Sequence, residues 1–177
     1  MFDVRTATVD DAPAVARVIR ARAAWMRREG LEDWEAWWHS ADAMAARATR
    51  PRAPARLLVH RSGAVVGCTT LSATASDEEW STVEREQPAR YLSTTCTDPA
   101  WRGHRPGAVL AAWALEETAA AGAAWLRLSC ADDRLMRYYR DVQGFALVRT
   151  VTRTGVTYLL ARSVLDRPAA ARRPPSR

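Results

Sequence analysis

Apolar residues recur along the chain with two different periods, and the switches between them mark out the elements. Asp3 to Ala7 alternate as a short strand. Val15, Val18, Ile19 and Ala23 then fall at helical spacing, with Asp10 or Asp11 to cap the helix, Pro13 tolerated in its first turn and Gly30 to stop it. A tryptophan-rich stretch, Leu31 to His39, leads into a second helix of alanines and arginines that ends before Pro51. Arg56 to His60 and Ala64 to Ser72 predict a hairpin about Arg61-Ser62-Gly63. Ser76 to Ala89 is acidic and shows no period, which predicts a surface connection. Tyr91 to Thr97 is rich in threonine and closed by Asp98-Pro99, a strand that ends sharply. Gly107 to Ala121 is helical, with Leu110, Trp113, Ala114 and Glu117 at helical steps and Gly122 as its stop. Trp125 to Cys130 predicts a strand and Asp132 to Val142 a short helix. Phe145 to Thr152 and Val156 to Arg162 form a closing hairpin around Arg153-Thr154-Gly155.

This order predicts an α/β (α+β) domain over residues 1–165. Its mixed sheet is antiparallel early and has at least one strand–helix–strand crossover in the middle. Residues 166–177 (DRPAAARRPPSR) are too rich in proline and arginine to pack, which predicts a disordered tail.

Composition narrows the chemistry. Of the 177 residues, 48% are hydrophobic and 26% charged, a balance that forms a core. The net charge is +6, and all 26 basic residues are arginine. A lysine Schiff base, a lysine general base and a Walker-type phosphate loop are therefore excluded. Four of the arginines stand in the tail against one aspartate, so the folded part is only mildly basic. The remaining arginines are scattered among acids without a zinc finger, RNP strand or basic-region heptad, which argues against a nucleic-acid partner. Cys68, Cys96 and Cys130 have neither zinc-ligand nor disulfide-framework spacing, so no metal is expected. The start lacks the apolar core of a signal peptide and no run approaches a membrane span, so the expected location is cytoplasmic, away from membranes.

Candidate chemistry concentrates in Thr97 to Ala108, TDPAWRGHRPGA, between a strand and a long helix. A helix start collects unpaired N–H groups with the positive end of the dipole behind them. Gly103 and Gly107 let backbone approach a ligand, Pro106 pre-sets the turn, and Arg102, Arg105 and His104 add side-chain charge. Such an arrangement suits a pyrophosphate. The same residues also read as turn punctuation with solvated arginines.

The chain resembles the GNAT superfamily of acyl-CoA-dependent N-acetyltransferases. That family's signature at a strand–helix junction is Arg/Gln-x-x-Gly-x-Gly/Ala, usually with a proline three residues before the arginine. Pro99, Arg102 and Gly107 match, while Arg105 stands in place of the central glycine. Downstream the family often shows Asn, a small or apolar residue three on, Tyr seven on, then Gly-Phe. Asp132, Leu135, Tyr139 and Gly144-Phe145 occupy those places, with one residue more than usual between Tyr139 and Gly144.

The resemblance implies a mostly antiparallel central sheet flanked by helices, with splayed middle strands that admit acetyl-CoA as co-substrate. It implies that backbone groups of Thr95, Cys96 and Thr97 hold the pantetheine arm and polarise the thioester. Amides from Gly103 to Ala108 would hold the pyrophosphate, and Tyr139 would act as general acid toward the leaving thiolate, with Tyr138 as an alternative. Many relatives carry a glutamate on the strand before the loop; this strand has no carboxylate. Glu32, Asp33, Glu35, Glu78, Glu79 or a water stand as candidates for the base. Trp34, Trp37 and Trp38 fall where relatives form a substrate lid. Trp37 and Trp38 read as core residues, and Trp34 as core or as an aromatic wall for a substrate. A covalent route through Cys96 or Cys130 would need a nearby base, and buried structural thiols are the better reading.

The function expected from these residues is acetyl transfer to a primary amine of a small molecule, by direct attack in a ternary complex. The alternatives are a protein or peptide N-acetyltransferase, or a CoA-binding or nucleic-acid-binding protein without turnover. A homodimer is compatible with all of them.

Overall fold

The computed structural model describes residues 1–75, 80–153 and 155–165. The predicted tail, candidate bases Glu78 and Glu79, and Thr154 of the last turn lie outside the described residues. In chain order the strands are β1 (Phe2–Thr6), β2 (Arg56–His60), β3 (Val65–Ser72), β4 (Ala89–Thr97), β5 (Trp125–Cys130), β6 (Ala146–Thr152) and β7 (Val156–Ser163). The helices are α1 (Ala12–Arg28), α2 (Trp34–Ala48), α3 (Thr82–Glu86), α4 (Pro106–Ala120) and α5 (Asp133–Arg137). The strands order as β1-β2-β3-β4-β5-β7-β6 in one sheet. Antiparallel registers join β1 to β2, β2 to β3, β5 to β7 and β6 to β7, and β4 pairs with β5 in parallel. The mixed, mostly antiparallel sheet matches the expected class. The chain divides into two compact units, one of Met1–Leu71 with Leu92–Trp113 and one of Ser72–Tyr91 with Ala114–Arg177.

In the first unit, the period of two in β2 and β3 sorts adjacent residues to opposite faces. Leu57, Val65 and Cys68 join Val15, Val18 and Ile19 of α1 and Ala41 and Ala45 of α2 in one buried cluster. Leu58 and Val66 point the other way and meet Leu110 of α4. Each fully buried Leu or Val contributes about 1.5–3 kcal/mol relative to exposure. Gly67 sits at the crowded point of β3: a Cβ there would lie 3.1 Å from the Cys96 carbonyl oxygen and 3.1 Å from the Thr97 methyl. The Asp11 side chain does not bond into α1. It is buried, accepts from the Thr8 N–H (2.8 Å) and from Arg5 (2.6 and 2.8 Å), and its carboxyl is held well below the carboxylate range chiefly by that guanidinium.

In the second unit the described part of Ser76 to Ala89 lies mostly at the surface, as expected, but it is not irregular throughout. It contains α3, whose Ser81 cap accepts from the Glu84 N–H while the Glu84 carboxylate accepts in return from the Ser81 N–H. It also contains Trp80, which is only 1% exposed. Trp80 packs with Tyr91 and Leu159, and the guanidinium of Arg127 lies 5.0 Å from its ring centroid. Arg127 stands between Leu126 and Leu128 in β5 and is itself buried. It donates to the Glu84 carbonyl, the Gln87 side chain and the Tyr91 hydroxyl, so three acceptors offset part of the cost of burying the charge. Arg149 of β6 completes the cluster with a two-pronged pair to Glu84 at 2.6 and 2.7 Å.

Candidate active site

Building from β4 outward, Asp98 caps a 3-10 turn over Pro99–His104 by accepting from the Ala100 N–H at 3.0 Å. The same carboxylate takes an ion pair from Arg17 at 2.9 Å, so both of its oxygens serve structure. Arg105 follows in the left-handed region, with φ 52° and ψ 50°. This is the position where the family signature carries its central glycine, and a glycine adopts that conformation without a Cβ clash. Arg105 keeps the turn and adds a guanidinium. Its N–H donates to the Arg102 carbonyl (3.0 Å), and its carbonyl accepts from the Ala108 N–H (2.9 Å), which starts α4. Two amides of the Gly103 to Ala108 stretch are thus used inside the turn, and Pro106 has none to give. Arg102, Gly103, His104 and Arg105 are exposed, and Gly107 and Ala108 are half-buried.

The ring of His104 turns away from the loop into an aromatic cluster. It lies 5.4 Å from Trp101 and 6.1 Å from Phe2, and Trp101 in turn stacks 4.7 Å from His60. These edge-on and tilted contacts, each worth about 0.5–1.5 kcal/mol beyond area, fasten the loop to β1 and β2.

On β4, the Thr95 hydroxyl is 2.7 Å from that of Thr69. Arg22 of α1 donates to both the carbonyl (3.1 Å) and the hydroxyl (2.6 Å) of Thr97. Thr94, which carried no signal in the sequence, adopts φ 54° and interrupts the alternation of the strand. Left-handed non-glycine residues inside strands cluster at functional sites.

Cys96 is buried, and desolvation pushes its thiol up to about 12; burial likewise raises Cys68 and Cys130 to about 11. Burial thus holds Cys96 as the neutral thiol at neutral pH. The thiols behave as structural groups.

Tyr139 lies in the second unit, on a π-helical turn over Tyr138–Val142 that follows α5. Asp132, at the family's asparagine position, caps α5 by accepting from the Leu135 N–H at 2.7 Å. Tyr139 is buried, its ring 5.5 Å from Phe145 and 5.9 Å from Tyr138.

Trp34 opens α2 and lines a cavity of about 580 Å³ with Arg27, Leu31, Glu32, Asp33 and Glu35. The Arg27 guanidinium lies 4.9 Å from the Trp34 ring centroid. All three tryptophans stand on the helix itself, not ahead of it. Trp37 packs against the α1–α2 cluster as expected, but Trp38 is 42% exposed and does not join the core. Among the described residues no group of three or more His, Cys, Asp or Glu could hold a metal ion, and no helix is long and apolar enough to cross a membrane.

No family model matches the sequence, and no curated protein does. Solved structures do. A GNAT-family acetyltransferase from Listeria monocytogenes aligns with a TM-score of 0.69 at 20% identity, over 92% of this chain and 94% of that one. An aminoglycoside 6'-acetyltransferase type Ii aligns at 0.62 and 14% identity, over 94% and 99%. A Salmonella typhimurium structure that contains its cofactor acetyl-CoA aligns at 0.60 and 14% identity, over 95% and 96%. The architecture is the GNAT acyltransferase fold.

Proposed function

We propose that this chain is an acetyl-CoA-dependent N-acetyltransferase acting on a primary amine of a small molecule. The observation that carries the reading is Arg105 in the left-handed position that ends the Pro99–His104 turn and starts α4, with Arg102 exposed beside it. A backbone forced into that conformation at a helix start, on a GNAT fold, is the arrangement that grips a diphosphate.

Bound acetyl-CoA supplies the activated acyl group as a thioester. The guanidinium groups of Arg102 and Arg105 and the Gly107 N–H at the start of α4 hold its phosphates. Backbone N–H groups of the Thr95–Thr97 segment polarise the thioester carbonyl, where each such donor lowers the barrier by about 3 kcal/mol. The acceptor amine attacks the carbonyl carbon, the C–S bond breaks, and Tyr139 gives its phenolic proton to the departing thiolate. The ammonium proton leaves through a carboxylate of the Glu32–Glu35 segment or a water. Direct transfer fits the raised cysteine thiols, which offer no nucleophile for a covalent relay. The acidic and aromatic lining around Trp34 supports a small cationic amine as acceptor.

The test is calorimetric titration with coenzyme A, followed by thiol release from acetyl-CoA on a panel of amines. Binding and turnover are expected, with Tyr139→Phe lowering kcat by about 10²-fold or more while the affinity for coenzyme A is kept. Absence of binding overturns the reading. Binding without turnover on any amine replaces it with a CoA-binding protein.

A further inference from the structure

The helix that carries Tyr139 holds one residue more than the family spacing before Gly144, and the structure shows how that residue is absorbed. From Tyr138 to Val142 the backbone widens to a π turn, and the Gln143 N–H reaches back five residues to the Tyr138 carbonyl at 3.2 Å. On an α-helix, residues five apart stand about 140° around the axis and their side chains do not meet. The wider turn brings them onto neighbouring faces. The Gln143 side chain then donates from Nε2 to the Tyr138 hydroxyl at 2.6 Å.

A π turn is rare and persists where other contacts hold it. Here the Gln143 carbonyl accepts from Arg162 of β7 at 2.6 Å, and the Phe145 N–H donates to the Tyr139 carbonyl at 3.0 Å. Gly144, at φ 71°, turns the chain so that Phe145 comes back onto the helix. As a result the Tyr139 ring stands edge-on between two others, at 63° to Tyr138 and 72° to Phe145. Phe145 is fixed by burial at 2% exposure. Tyr138 is half-buried, and what pins its tip is the amide of Gln143, which is buried.

We propose that Gln143 is a positioning residue for Tyr139, acting through Tyr138: the extra residue and its π turn create the Gln143–Tyr138 bond, and that bond fixes one wall of the slot that orients the Tyr139 phenol. The kinetic part of this inference rests on the reading of Tyr139 as the proton donor; the geometric part does not.

The experiment labels the full chain with 3-fluorotyrosine, giving four ¹⁹F resonances for Tyr91, Tyr138, Tyr139 and Tyr158, each assigned by its Tyr→Phe variant. Gln143→Met keeps the length and removes the amide. The Tyr139 line is expected to move toward its denatured position and narrow, while Tyr91 and Tyr158 stay. kcat on the best amine of the panel is expected to fall about tenfold to hundredfold, with KM for acetyl-CoA unchanged. Gln143→Glu, whose carboxylate accepts from the Tyr138 hydroxyl, restores both. Should Gln143→Met not fold, Tyr138→Phe removes the same bond with both rings kept and is expected to move the Tyr139 line in the same way. A Tyr139 line unmoved in the folded variant overturns the proposal, as does a shifted line with kcat intact while Tyr139→Phe is impaired. If Tyr139→Phe turns over like the parent, the proton-donor reading fails, and the fluorine spectra still decide the role of Gln143.

Discussion

Replacing Arg105 by glycine and, separately, by alanine divides its backbone role from its charge. A non-glycine residue at φ 52°, ψ 50° carries about 1–2 kcal/mol of Cβ–carbonyl crowding. Glycine removes that crowding and costs about 0.5–1 kcal/mol of extra chain entropy in the unfolded state. Arg105→Gly should therefore be more stable than Arg105→Ala by about 1 kcal/mol, since the two lose the same charge and differ only in the Cβ. For a chain of this length that is a Tm difference of about 2–4 °C, readable by calorimetry. Coenzyme A should bind both variants two- to fivefold more weakly than the parent, because an exposed guanidinium facing a phosphate is screened by water. The weakening should shrink as salt is raised. If the alanine variant equals or exceeds the glycine variant in stability, the backbone at 105 is not strained and the account of the turn is wrong. If affinity falls for alanine but not for glycine, the guanidinium does not contact the anion.

The Glu84–Arg149 pair gives a pH test. The guanidinium of Arg149 holds the Glu84 carboxyl at about 2, against an ordinary value of 4.5. A depressed carboxyl contributes stability above its unfolded value and loses it as pH falls through its folded one. The raw shift corresponds to about 3 kcal/mol, which screening of the 35% exposed Arg149 reduces to about 1–2 kcal/mol. Urea denaturation of Glu84→Gln should show that deficit at pH 7 and lose most of it near pH 2; a deficit independent of pH would refute the assignment. For the thiols, burial of Cys68 and Cys96 predicts slow reaction of the folded protein with a disulfide reagent at pH 8, and reaction of all three cysteines in denaturant. A fast equivalent that maps to Cys96 would reopen the covalent route.

Much of this architecture can be read from periodicity, because β2 and β3 carry buried residues on both faces and α1 buries one stripe. The hairpin at Gly63 and the stop at Gly30 announce themselves through residues that tolerate positive φ, and both adopt it. What escapes sequence reading depends on partners far along the chain. Trp80 sits among acids and hydroxyls, and distant partners, Arg127 47 positions later and Leu159 beyond it, make its burial intelligible. Trp38 looks like a core residue by type, but α2 turns that side outward. The loop at Arg102–Ala108 is legible by motif. The Arg22 bonds to Thr97 and the left-handed Thr94 are not, since neither follows from local spacing.

Arginine fastens each unit internally, at Asp11, Asp98, Thr97 and Glu84, through forked or paired donors that a single ammonium does not reproduce. The choice has a second effect. A protein that keeps a reactive thioester at hand exposes its own nucleophiles to stray acylation, and a side-chain ε-amine is the usual casualty. Guanidinium groups stay protonated and decline the reaction, so under the proposed function these joints would survive contact with the acyl donor.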